Sequence, residues 1–281
     1  MKRTLLAALA LSAGLTTSAF AEISGKVTYK GDAPARAPLA AAMQDPNCKA
    51  LHKEPPLDER LVVGKGGELV NAVVYLKNAP KGEAPADEVV LDQVKCVYTP
   101  HVVSATVGQK VFAMNSDAFL HNVNVQSVDN PGKNIAQPVK GQKDPVPTKA
   151  AEFYKVVCNV HPWMNAWVAV FEHPYHSVTI DDGTYSIDTK GLKDGDYEVV
   201  VWHEKLKDNA ATGKVTVKGG KGTLDLVVTP KAAAGNATAE PVVLVNAPAA
   251  GKPTCCTDGS KCAETAAKAA AAAAQAKAER K

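Results

Sequence analysis

Cys158, His161 and Met164 follow one another at three-residue steps in VVCNVHPWMNAWVAVFE, Val156 to Glu172. A thiol, an imidazole and a thioether thus share one Pro-containing turn between two apolar runs. Thiolate and thioether are soft metal donors and imidazole is intermediate. Two His and one Cys in a trigonal plane, with a distant axial Met, make a blue-copper electron-transfer site. Such a geometry is tolerable to both Cu(I) and Cu(II), so little has to move when an electron passes. The turn lacks one imidazole, and MNSDAFLHNVNVQ offers it as His121, at the start of a predicted strand. A strand beginning at 121 and one ending at 158 can be neighbours in a sandwich. His121, Cys158, His161 and Met164 then form a four-ligand set for one ion.

Other metal chemistries lack parts here. A binuclear copper site needs a second Cys inside the loop, where position 162 is Pro, and the repeated His-x-His pairs of multicopper oxidases do not occur. A red-copper site would carry a third imidazole or a carboxylate in place of Met164. Zinc prefers Cys and His without a thioether. The plain structural reading of the same residues makes Cys158 a small buried hydrophobe, His161 a surface turn residue and Met164 core filler. No nucleophilic triad, phosphate loop or carboxylate pair stands out, so the expectation is a protein that is not an enzyme.

The positioning elements read as strand after strand. EISGKVTYK, ELVNAVVYLK, EVVLDQVKCVY, VGQKVFAMN, HNVNVQS, EFYKVVC and NAWVAVFE are short, rich in Val, Phe and Tyr, and bounded by Gly, Pro, Asn or Asp. That spacing predicts an all-β chain, a β-sandwich or Greek-key barrel. A second β-sandwich-like group follows, with HSVTI and TYSID flanking Asp181-Asp182-Gly183, a strong hairpin signal, and then DYEVVVWHE, GKVTVKG and TLDLVVT. The expected organisation is residues 22–173 for the copper region and 174–230 for the second β region, with a boundary near Pro174; a shared interface or even a shared sheet between the two groups is the alternative. Residues 231–281 read as a low-complexity linker and a frayed, Ala-rich helical tail.

The 281-residue chain opens with Lys2 and Arg3, an apolar stretch and Ala19-Phe20-Ala21. This pattern predicts a signal peptide, residues 1–21, cleaved after Ala21. Its removal takes the formal charge from +3 to +1, which argues for neither nucleic acid nor anionic lipid as a partner, and no membrane insertion is expected. In an exported chain, six cysteines first suggest disulfides. Compartment alone favours Cys48 with Cys96, although spacing does not fix connectivity. Cys255, Cys256 and Cys262 in the tail either hold Cu(I) or form a bridge with one thiol left over.

The ligand loop resembles that of the cupredoxins, and within them amicyanin and pseudoazurin. Cys158-Asn159-Val160-His161-Pro162-Trp163-Met164 is similar to the amicyanin-like Cys-x-x-His-Pro-Phe-Met. Val107-Gly108-Gln109, Asn115 and His121-Asn122-Val123 match the upstream strand pair, so the resemblance covers about residues 88–172. It implies His121, Cys158 and His161 as equatorial ligands of one type 1 copper ion, Met164 as the axial one, and Asn122 as the residue that tightens the loop and donates a hydrogen bond to the thiolate. It also implies that the His161 imidazole reaches the surface as the electron exit, with Trp163 and Pro162 as its apolar collar. The later strands look like the carboxypeptidase-regulatory or transthyretin-like sandwiches. The resulting expectation is a periplasmic carrier of single electrons, taking them from a dehydrogenase or haem protein and giving them to an acceptor such as a c-type cytochrome. The other readings are an exported β-sandwich binding module with a structural metal, and a copper storage or delivery protein. His101, His173, His176 and His203 read as strand-edge or interface residues.

Overall fold

The structure, a computed structural model, describes residues 21–230. The expected signal segment, the linker and the tail with Cys255, Cys256 and Cys262 lie outside the described residues. The described chain is all-β, with two large apolar cores and a smaller third cluster, and no helix in it is long and apolar enough to cross a membrane.

The first core lies between two sheets. One has the order Lys133–Gln137, His121–Gln126, Glu152–Val157, Asn165–Phe171, Val102–Thr106. The other runs Lys143–Val146, Val111–Asn115, Val89–Val94, Val97–Thr99. Alternate residues point inward, as strand pleating requires, so Leu91, Val111 and Ala113 meet Val123, Val156 and Val168. Asn165–Phe171 departs from alternation because both of its faces are covered. Ala166, Val168 and Val170 enter the first core, whereas Ala169, Phe171 and Trp167 pack against Val73, Tyr75 and Trp202. A near-continuous apolar run is the sequence trace of a strand buried on both sides.

The second core crosses the expected boundary. Val73–Leu76 lies between His176–Val178 and Gly195–His203 in one sheet, with Leu206–Val217 at its edge. Glu22–Tyr29 pairs with Thr184–Asp188, Gly222–Thr223 and Leu226–Val228. Residues 174–230 therefore do not close this core alone. Ile23, Val27, Leu69, Val74 and Leu76 fill it alongside Tyr185, Val199, Val201 and Val215. Strands from both sides of Pro174 share these sheets, because strands past Pro174 need an apolar face to bury.

Two expected single strands are broken by left-handed residues. ELVNAVVYLK divides into Leu69–Val70 and Val73–Leu76 around Asn71, at φ 62°. EVVLDQVKCVY is a hairpin in which Val94 pairs with Val97 and the turn is Lys95-Cys96, at φ 51° and 59°. Positive φ at both central residues matches the twist of antiparallel strands, but it ordinarily calls for Asn or Gly. Tertiary contacts hold it here, and they lead directly to His121.

Candidate metal centre

The ligand loop joins two antiparallel strands, with Val157 opposite Asn165. It closes tightly: the Cys158 amide donates to the Met164 carbonyl at 3.1 Å, and the Met164 amide donates to the His161 carbonyl at 2.8 Å. His121 begins the strand on the other side of Glu152–Val157, where Asn124 lies opposite Val157. Register alone therefore brings residue 121 to the end of the sheet that carries the loop.

His121, Cys158 and His161 each place one ligand atom within 4.8 Å of the other two. The Nδ1 atoms of His121 and His161 are 2.9 Å apart, and Cys158 Sγ is 3.7 Å from His161 Nδ1. His121 is 0% exposed, Cys158 and His161 2% and Met164 1%. The remaining imidazole nitrogens face away. His121 Nε2–H donates to Asp117 Oδ2 at 2.9 Å, and His161 Nε2 lies 3.8 Å from Asp45 Oδ2. Two imidazoles presenting the same nitrogen to a thiol, with their other nitrogens engaged elsewhere, is a donor set that fits a soft or intermediate cation.

Electrostatics favour the ligating form of the thiol. Burial works against a Cys158 thiolate, but hydrogen bonds from the His121 and His161 side chains and from the His161 and Asn122 backbone amides outweigh it. Together they lower its pKa to about 6. Burial likewise opposes charge on His121, and the hydrogen bonds to Asp117 and Cys158 reverse that, leaving its pKa raised. Asp117 stays below the usual carboxylate range despite burial, because His121 and the Cys96 and Lys95 amides all donate to it.

Sequence reading passed over Asp117. Its carboxylate accepts the Lys95 amide at 2.7 Å and the Cys96 amide at 2.8 Å as well as the His121 imidazole. One side chain thus holds both the left-handed turn and the His121 imidazole. Asn115 Oδ1 accepts the Asp117 amide at 2.9 Å, and its Nδ2 donates to Phe119 O and Gln137 O, which orders the turn before His121. The signal available was an acid four residues before the candidate ligand.

Asn122 ties the loop to its neighbours: Oδ1 accepts the Asn159 amide at 3.1 Å, and Nδ2 donates to Asn134 Oδ1 and Ile135 O. Its backbone amide, rather than its carboxamide, is the group that favours the thiolate. Trp163 lies with its ring centre 5.1 Å from that of His161 and donates its indole N–H to Cys96 O at 3.0 Å.

The expected surface-reaching imidazole is corrected. At 2% exposure His161 is buried, because the segment around Asp45 and the short helix Pro46–Ala50 lies beside it. That helix carries Cys48, which is bridged to Cys96, and Cys158 is a free thiol. His101 pairs with Glu204, while His176 stacks on Phe171 and bonds Ser104 and Thr106. None of these joins the ligand cluster.

No family model matches this chain, and no curated protein does. Among solved structures, the chain is similar to a purple cupredoxin from Nitrosopumilus maritimus, at 22% identity over 31% of this chain and 100% of that one, with a TM-score of 0.26. It is similar to amicyanin from Paracoccus versutus at 24% identity, over 35% of this chain and 97% of that one, with a TM-score of 0.28. It is similar to a copper-containing nitrite reductase from Thermus scotoductus at 22% identity, over 41% of this chain and 27% of that one, with a TM-score of 0.26. These likenesses cover less than half of the chain, and the chemistry of the centre rests on its own geometry.

Proposed function

We propose that this protein is an exported, periplasmic carrier of single electrons, in which His121, Cys158, His161 and Met164 would hold one type 1 copper ion. The observation that carries the reading is the convergence of two Nδ1 atoms and one Sγ in a buried pocket, with both Nε2 atoms turned to carboxylates. A bound copper ion supplies a one-electron couple. The chain's residues supply everything else.

The lowered Cys158 pKa keeps the thiolate available at neutral pH. Asp117 holds the Nε2 proton of His121, so that Nδ1 presents its lone pair inward. Antiparallel strands on both sides of the loop, with Asn122 bonded across it, keep the donors from moving as charge changes. Burial of all four side chains excludes water and leaves them out of reach of a substrate, which suits electron transfer rather than catalysis. Donor and acceptor are redox proteins, such as a dehydrogenase and a c-type cytochrome, met in weak encounters that permit turnover.

The test is the visible spectrum of the mature apo-protein on adding Cu(II). An intense charge-transfer band that saturates at one ion per chain, and is lost in Cys158→Ser, is the expected result. A colourless protein of unchanged folding stability would replace this reading with the binding-module one.

A further inference from the structure

A second group of buried donors meets at the same imidazole. Cys48, Cys96 and His161 place one ligand atom each within 4.8 Å of one another, and all three residues are buried. In that imidazole Nδ1 faces Cys158 and His121, while Nε2 faces Asp45, whose Oδ1 accepts the Cys48 amide at 3.0 Å.

The two sulfurs sit on walls of different stiffness. Cys96 is fixed: its amide is held by Asp117 and its carbonyl by the Trp163 indole. Its left-handed backbone is a conformation that persists only where surroundings over-determine it. Cys48 is the sole buried side chain of the five-residue helix Pro46–Ala50. So short a helix has little stability of its own. The bridge places it, together with Asp45, whose Oδ1 accepts the Asn47 and Cys48 amides, and the hydrogen bond between His52 Nε2 and Lys95 O at 2.7 Å. None of these contacts is made by Asp117 or Trp163, which hold the Cys96 amide and carbonyl.

We propose that the dithiol form of Cys48 and Cys96, with His161, binds a thiophilic cation, Cu+, at a position adjacent to the first centre. A dithiol reductant passes two electrons and two protons to the S–S bond and becomes a disulfide itself. The two thiols then release their protons to solvent as the sulfurs ligate Cu+. Two thiolates and an imidazole are a soft set that selects this ion. A neutral imidazole has one lone pair, so His161 serves the two positions in turn. Bridge formation and occupancy of the second position exclude each other, since both use the same sulfurs.

The experiment uses the full chain carrying Cys158→Ser, Cys255→Ser, Cys256→Ser and Cys262→Ser, which leaves Cys48 and Cys96 as the only cysteines. Cu+ is offered under anaerobic conditions against a chromophoric chelator. The reduced variant is expected to hold Cu+ at least about tenfold more tightly than the oxidised variant, which keeps only His121, His161 and Met164 as donors, and His161→Ala on the reduced background is expected to weaken binding by at least about tenfold. As a second measurement, the same reduced variant, which lacks Cys158, is alkylated with and without Cu+, and protection is mapped by peptide mass; Cys48 and Cys96 should be protected. The proposal is overturned if reduced and oxidised variants bind alike, if His161→Ala has no effect, if Cys48 and Cys96 are labelled equally with and without Cu+, or if reduction unfolds the chain. It stands apart from the carrier reading, because the variant lacks Cys158: absence of colour in the Cu(II) wild type would end that reading and leave this one in place.

Discussion

Asp117 and His121 are joined by a 2.9 Å hydrogen bond from the imidazole Nε2–H to a carboxylate that also caps two backbone amides of the Lys95-Cys96 turn. The orientation of His121 and a hairpin turn in the opposite sheet thus depend on one side chain. Asp117→Asn can still accept from the imidazole, but it loses the negative charge that raises the basicity of His121. Changes to such partners of a ligating His cost about 10–100-fold in metal affinity. Copper affinity measured by chelator competition should fall by that order in Asp117→Asn and further in Asp117→Ala. Equal affinity in all three proteins would show that Asp117 serves the turn alone.

The Cys158 thiol in the apo-protein should titrate near pH 6, where an unperturbed thiol titrates at about 8.5. The thiolate is favoured in the folded chain, so between those values the unfolded chain holds a proton that the folded chain has released. The contribution of Cys158 to stability is therefore fully present above about pH 8.5 and is lost as pH falls through 6. The difference in thiolate ultraviolet absorbance between wild type and Cys158→Ser, followed against pH, reads the midpoint. His121→Ala removes a principal hydrogen bond to the sulfur and should move the midpoint upward; a wild-type midpoint near 8.5 would contradict the arrangement.

His203 is 2% exposed, and burial, aided by the charge of His101, lowers its pKa to about 4 against the pull of Glu204. It is neutral in the folded chain over a range where the unfolded chain is protonated. Its contribution is complete above about pH 6.5 and is lost as pH falls toward 4, at up to about 1.4 kcal/mol per pH unit for one proton. Urea midpoints at pH 7, 6 and 5 should therefore decline more steeply for wild type than for His203→Gln. Parallel declines would mean that the ring is charged in the fold.

Local pattern carried a good part of this protein. The spacing of Cys158, His161 and Met164, and the strands on either side, were legible because a strand-turn-strand unit is built from near neighbours, and the period-2 alternation of VGQKVFAMN and EFYKVVC reports one buried face. His121 was legible as a candidate because it opens a strand. The bridge between Cys48 and Cys96 was expected on compartment, and it is present.

What the sequence by itself determined, then, was the all-β character and the donors available to a metal. The tertiary structure decided which nitrogen of each imidazole turns inward, that Asp117 holds one of them, and that a bridged segment more than a hundred residues upstream buries His161. It also decided that Lys95-Cys96 is a turn and that strands 22–29 and 73–76 complete the later core. The physical reason is common to these cases. Each depends on a contact between segments far apart in the chain, and periodicity reports which face of a strand is buried without reporting what buries it.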